Sequence, residues 1–401
     1  MLGYRKSSFY RAHSLLTNLR ANLDDLSTLR ELQFLLLREV IRAEIRIREL
    51  KADLKQSIAG SDNINKSATY LEKRIDGFRQ CAFVWRCFGD SIAFLYMDKF
   101  ALKQTFLNTH NVNPKQDAGF IAGKDGLERE ISLLEAALAH SVPALLVDLT
   151  NTIRHGDVCL MGASDPYLIE VKSSLKLNQR GKKQQRSIEK LHGFFSTDRS
   201  LGLRGIPDLR REAYRSPERS YTDQLNHCIV EAISCGHAVR QPEPGLFYIV
   251  MARSAINEVM NSLGLKRPWL FLLNERKTLR DWAPYYPFVL SIENKDHLWA
   301  FIKGDIYILV IMEIDALLAI FAARGAIATF NTEDPNYPVR VDVSGDGGLA
   351  GISDSLLARI GMEFVSPEWL IDISFETFEL GAKSVQADSG VAGESIPTAP
   401  E

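Results

Sequence analysis

The stretch Gly156–Ser174 reads GDVCLMGASDPYLIEVKSS. One short apolar run opens at Asp157, a second spans Tyr167–Val171, and the turn residues Gly162-Ala-Ser-Asp-Pro166 separate them. That pattern predicts a β-hairpin. Residues two apart on a strand face the same way, so Glu170 and Lys172 emerge side by side, and Asp157 on the neighbouring strand reaches the same point. Two carboxylates and an ammonium at one strand end are what metal-assisted phosphodiester hydrolysis needs. Mg²⁺ takes hard oxygen ligands, usually one or two protein carboxylates with several waters. Asp157 and Glu170 would supply those oxygens, with the main-chain carbonyl of Val171 as a third ligand. Such an ion (Mg²⁺ or Mn²⁺) polarises the phosphate and lowers the pKa of a bound water. Lys172 would orient or help deprotonate that water, or offset charge on the phosphorus.

This arrangement resembles the PD-(D/E)XK superfamily, the restriction-endonuclease-like nucleases, over roughly residues 118–255. Asp157 matches the first acid, Glu170 the second and Lys172 the lysine, while Gly156 stands where the motif's name has proline. The resemblance implies an α/β fold with a mixed central sheet flanked by helices. It also implies a glutamate from the helix before the first core strand. The segment from Gly126 fits that helix, with Ile131, Leu134 and Leu138 on its apolar face and Glu130 beside it, a better match than Glu128. A glutamine or basic residue is expected on the helix after the lysine strand, and among Gln184, Gln185 and Arg186 we select Gln185.

Glu-x-Lys alone is a weak signal in a chain that is 24% charged. Glu49-Leu-Lys51 lies in a helical region, where residues i and i+2 do not share a face. Glu293-Asn-Lys295 follows an apolar run, Phe288–Ile292, but Pro284 and Pro287 break the approach and no basic helix follows. The order helix, strand, acid, strand, acid-x-lysine, basic helix favours Asp157–Lys172. The plain alternative is a hairpin with a surface ion pair between Glu170 and Lys172, worth about 0–1 kcal/mol.

The chain has 401 residues, is 46% hydrophobic and carries a net charge of −2, the profile of a globular protein with two or three domains. Charge is uneven: Lys172–Arg219 holds 13 Lys or Arg against 5 Asp or Glu. Lys176, Arg180, Lys182, Lys183, Arg186 and Lys190 follow the acidic motif directly and are the candidates for holding a nucleic-acid backbone; Arg199, Arg204, Arg210, Arg211, Arg215 and Arg219 continue the tract. Alone, such a run is more often a solvated surface. Five cysteines without Cys-x-x-Cys spacing read as reduced thiols and suit a cytoplasmic location. No stretch of 18 apolar residues is present, so no membrane partner is expected.

Five regions follow. Residues 1–60 form an N-terminal helical hairpin or coiled coil, with leucines at three- and four-residue steps and a capping box at Thr28-Leu-Arg-Glu31; this arm could pair two copies of the chain or pack on the core. Residues 61–117 are helical, with Trp85, Phe88, Ile92 and Tyr96 as a core stripe. Residues 118–265 form the nuclease-like core, with strands at Ala144–Thr150 and Leu246–Ala252, a helix at Ser254–Leu263, and a long loop between Thr197 and Arg219. Residues 266–380 form a smaller α+β region, whose glycine-rich Gly345–Gly351 reads as a turn, and 381–401 a disordered acidic tail. The functional expectation is a metal-dependent endonuclease acting on DNA, in defence against foreign DNA or in repair, the last part implied only by the resemblance. The alternatives are an RNase, a non-catalytic nucleic-acid-binding or regulatory protein on a nuclease-like fold, and a scaffold built on the N-terminal helices.

Overall fold

Leucines at helical spacing build the N-terminal layer as α1 (Lys6–Ala21) and α2 (Leu26–Ala59). The break between them, at 22–25, lies a few residues before the Thr28–Glu31 box that was expected to open the second helix. Asp25 caps α2, accepting from the Thr28 N–H (3.0 Å) and hydroxyl (2.7 Å), while Glu31 pairs with Arg11 of α1 (2.6 Å). A carboxylate one residue before the helix meets the orphan N–H groups directly, so Thr28 and Glu31 already lie inside the helix. The next helix, α3 (Ile64–Tyr96), lies along α2. Ile47, Leu50 and Ile75 form a buried cluster with Leu54, Leu71 and Phe78 packed against it. Phe9 of α1 meets Trp85 and Phe88 of α3 and Trp299 of the helix Lys295–Lys303. The apolar seams of the arm are therefore buried within the chain itself.

The structure is a computed structural model and describes residues 5–59, 64–117, 119–172, 179–252, 264–331, 333–342 and 349–391, with 259 and 262. It is mixed α/β with several small antiparallel sheets, divided into two compact units: Met1–Glu212 with Asn274–Asp305, and Ala213–Leu273 with Ile306–Glu401. In the first unit, α4 (Lys99–Phe106) and α5 (Leu127–Ala139) precede β1 (Ala144–Leu146), β2 (Val158–Leu160), β3 (Tyr167–Ile169) and α6 (Gln179–Thr197). The sheet order is β1-β2-β3, antiparallel throughout, with Leu145 opposite Cys159 and Cys159 opposite Leu168. The hairpin forms as expected. The sheet's first strand, β1, is shorter than Ala144–Thr150, because Val147–Leu149 turns into a 3-10 helix closed by Thr150 on the Val147 carbonyl.

Three further expectations change. Residues between Thr197 and Arg219 are not one long loop: β4 (Arg199–Leu201) pairs with β5 (Asp208–Arg210), and Arg199 clamps Asp208 across the hairpin at 2.6 Å. The strand expected at Leu246–Ala252 in the nuclease-like core, β7 (Leu246–Met251), belongs instead to the second unit. There it lies between β6 (His237–Glu243) and β9 (Tyr307–Glu313), with β8 (Pro268–Leu272) on the far side of β9. Its burial on both faces satisfies the same apolar pattern in a different sheet. The second unit also holds α7 (Thr222–Cys235), α8 (Ile314–Ala323), and the small sheet of β10 (Ile327–Phe330), β11 (Val339–Asp342) and β12 (Leu349–Ile352). Finally, α9 (Pro367–Val391) continues past position 381, where disorder was expected. Its first turns are anchored by buried Trp369, Leu370, Ile371 and Ile373, and once nucleated a helix propagates readily through residues such as Ala and Gln. Most of Ser254–Leu263, where a helix was expected, and most of Gly345–Gly351 lie outside the described residues, as do 392–401. Among the described residues no helix is long and apolar enough to cross a membrane.

Candidate active site

Asp157 stands immediately before β2. Its N–H donates to the Ile169 carbonyl (2.7 Å) and its carbonyl accepts from the Val147 N–H (2.9 Å), so sheet pairing runs through it on both sides. The side chain is fixed as firmly: Oδ2 accepts from the Val171 N–H at 2.8 Å and Oδ1 from Lys124 Nζ at 3.0 Å. Val171 thus meets the first acid through its amide. Gly156 has φ +80°, and a Cβ there would lie 2.9 Å from the Ile169 carbonyl oxygen. Proline's ring locks φ near −65°, so this backbone excludes the residue that gives the motif its first letter.

The centre of the site is a residue the sequence did not single out. The Lys124 ammonium lies 2.8 Å from Glu130 Oε1, 2.8 Å from Asp148 Oδ2 and 3.0 Å from Asp157 Oδ1. These carboxylates come from the first turn of α5, the 3-10 turn after β1, and the start of β2. Burial alone would lower the Lys124 pKa, but the charge and hydrogen bond of Asp148, the bond to Glu130 and the charge of Asp157 hold it above its ordinary value. Burial raises the Glu130 pKa against the Lys124 bond, and the Asp157 charge adds to the rise. Of the two α5 acids weighed, Glu130 is buried at the cluster and Glu128 is exposed.

Helix α2 holds this cluster from behind. Glu44 accepts from the Ala122 N–H (2.9 Å), fixing the turn that carries Lys124, and from Arg86 (2.7 Å). Arg86 in turn donates to the Asp148 carbonyl at 2.9 Å.

Glu170 follows β3. Burial, then the charge of Asp157, pushes its pKa up to about 7, against the cations Lys115, Lys124 and Lys172. Its Oε2 is buried and has no hydrogen-bond partner among the described residues. Such an orphan acceptor is costly unless something fills it. Lys172 is exposed and donates to Gln185 Oε1 at 2.6 Å, and Gln185 Nε2 donates to Glu189 Oε1 at 2.8 Å. The two residues predicted as lysine and helix partner therefore meet.

The rival motifs do not assemble. Glu49 and Lys51 lie within α2, and Asn294 caps the helix that begins at Lys295. Of the basic tract, Lys182, Lys183, Arg186 and Lys190 are exposed along α6. Lys176 and the Arg180 side chain lie outside the described residues. Four of the later arginines are structural: Arg199 and Arg210 bind Asp208, Arg211 binds Asp165 and Asp198, and buried Arg204 donates to the Asn108 carbonyl (3.1 Å).

No group of three or more His, Cys, Asp or Glu side chains among the described residues is disposed to hold a metal ion as it stands, and Lys124 occupies the midst of the acids. The donor chemistry nonetheless fits a hard divalent cation: Glu130, Asp148 and Asp157 already surround one small cation, and Glu170 offers an unpartnered oxygen. Asp148 and Lys124 are the members that sequence reasoning missed. The available signal was an acid inside the apolar run Ala144–Leu149 and a lysine in the turn before α5. No protein-family model, curated protein or solved structure matches the chain.

Proposed function

We propose that the protein is a metal-dependent nuclease built on a restriction-endonuclease-like core in its first unit, hydrolysing phosphodiester bonds of DNA. The observation that carries this reading is the convergence of Asp157, Glu130 and Asp148 on one cation, with Glu170 and Lys172 in the stretch that follows β3. Mg²⁺ or Mn²⁺ bound among these acids would supply Lewis-acid stabilisation of the charge that develops on the phosphate. The chain's own residues divide the remaining work. Asp157, held by the Val171 amide, keeps its carboxylate in one orientation. Glu170, with a pKa near 7, is suited to take a proton from an attacking water. Lys172, steered by Gln185, offers positive charge to the phosphate. Lys124 must withdraw from at least one acid for a metal to enter.

One observation favours a second reading. Lys124 already compensates the acids, as expected of a nucleic-acid-binding protein without catalysis on the same core. The deciding experiment incubates wild type, Asp157→Asn and Lys172→Ala with plasmid, linear and single-stranded DNA and with RNA, in Mg²⁺, Mn²⁺ or EDTA. Cleavage by wild type alone, abolished by EDTA, supports the nuclease and separates DNA from RNA as substrate. No cleavage, with a melting temperature unmoved by metal, supports the second reading, since an ion bound only by the folded chain must stabilise it. A cytoplasmic location and a role in defence or repair accompany the nuclease reading. With the arm's apolar seams buried within the chain, pairing through its helices would need its polar faces.

A further inference from the structure

A groove of about 630 Å³ opens in the first unit between the segment Thr109–His110 and one side of α6. Lys182, Lys183, Arg186 and Lys190 wall it, with Thr109, His110, Gln179 and Ser187 completing the lining. Lys182, Arg186 and Lys190 recur every four residues, so they stand ~6 Å apart along one side of the helix. Among the described residues none of the four cations has a carboxylate partner, and no acid lines the groove. Like charges at this spacing destabilise a helix, so the arrangement gains nothing in folding without an anion. The base of the groove is built rather than incidental. Thr109 and Ser187 are buried, with their hydroxyls 3.1 Å apart, and Thr109 Oγ1 lies 3.3 Å from His110 Nδ1. Buried Arg204 holds this segment from beneath, its N–H donating to the Thr109 carbonyl and its guanidinium to the Asn108 carbonyl, both at 3.1 Å.

We propose that this groove is a pocket for the terminal phosphate of a nucleic-acid strand, so that the protein engages its substrate by a strand end. The inference rests on the nucleic-acid reading above and assigns the substrate's recognised group. An internal phosphodiester carries one charge on a chain that must leave the groove in both directions. A terminal phosphate carries ~1.5 to 2 negative charges and three acceptor oxygens near neutral pH, and it can descend to a base lined by hydroxyls. Arg186 supplies a planar fork for two of those oxygens, and the lysines supply point charges.

The test is equilibrium binding of the full chain in EDTA, followed by fluorescence anisotropy. The probes are oligonucleotides of one sequence, single-stranded or duplex, carrying a 5′-phosphate, a 3′-phosphate or hydroxyls at both ends. One phosphorylated form should bind about tenfold tighter than the hydroxyl-ended form, as expected for an added charge-assisted contact. Arg186→Gln with Lys190→Gln should erase that preference. Lys182→Gln with Lys183→Gln repeats the test on two exposed side chains should the first pair disturb folding. Equal binding of all end forms, or a preference that both variants retain, overturns the pocket. The catalytic reading is separable: a preference kept by Asp157→Asn supports the pocket even if wild type never cleaves, whereas cleavage by wild type indifferent to end phosphates sinks the pocket alone.

Discussion

Arg359 in the second unit and Lys124 in the first are each gripped by carboxylates, and the two clusters differ in a telling way. In the second unit Arg359 binds Glu363 at 2.6 Å and also Glu218, with its guanidinium 5.1 Å from the centre of the Trp369 ring. Arg359 is 1% exposed and Glu363 4%. Burial works against the charge on Arg359, but Glu363 and Glu218 outweigh it and raise its pKa. In the first unit Lys124 faces three carboxylates, with Glu170 nearby bearing an unpartnered oxygen, and the Lys124 side chain is 28% exposed. One cluster is closed under an aromatic ring. The other is acid-rich and more open to solvent. A sealed ion cluster is costly to break by removing one partner, while acid excess with solvent access marks a candidate binding or catalytic centre.

The comparison can be broken at either end. Arg359→Ala should have the largest effect, about 3–5 kcal/mol of stability, because it strands the buried carboxylate of Glu363; chemical denaturation checks it. A change below 1 kcal/mol would show the cluster to be no structural keystone. Lys172→Ala should reduce metal-dependent cleavage ~10²–10³-fold, the scale of removing one group that stabilises transition-state charge, with melting unchanged. Equal losses of activity and stability would make Lys172 structural. Lys124→Met tests the open cluster directly. It should melt lower than wild type without metal and gain more on adding Mg²⁺ or Mn²⁺, because the ion no longer competes with an ammonium. A smaller gain than wild type would mean that Lys124 assembles the site rather than filling it.

The smallest effect is a pH slope. Glu170 has its pKa raised from 4.5 to about 7 in the fold, so between those values the native chain binds more protons than the unfolded chain. Stability therefore falls as pH rises through this window. Glu170→Gln should flatten that part of the profile, and added metal should bind more tightly toward pH 7 as it displaces the proton. A profile unchanged by the substitution would count against a raised Glu170.

Much of this centre was legible in the chain's order of residues. Alternating apolar runs around a Gly-Ala-Ser-Asp-Pro turn give the β2–β3 hairpin, and the register brings Asp157 beside Val171 and Glu170. Gln185 meets Lys172 because α6 follows the strand directly. Lys124 was not legible, since it reaches Asp157 across 33 positions from a turn held by Glu44 of another helix. Asp148 was hidden because an apolar run reads as strand to its end, while the chain turns into a 3-10 helix after Leu146. Apolar periodicity identified β7 as a buried strand but carries no address, and its partners in the second unit decide which sheet it joins. Composition likewise marked a basic tract without separating the arginines that tie down β4 and β5 from the cations left open on α6.

A last consequence comes from Gln33 on α2. Its side-chain amide donates to the Ala144 carbonyl at 2.9 Å and accepts from the Leu146 N–H at 3.0 Å. One glutamine thus stands in for a neighbouring peptide group along the outer side of β1. An unpaired strand flank is a template on which another chain can lay a strand. Here that template is occupied from within, so recruitment of a guest strand or stacking of copies through β1 is foreclosed, and any lengthening of this three-stranded sheet is confined to its β3 side.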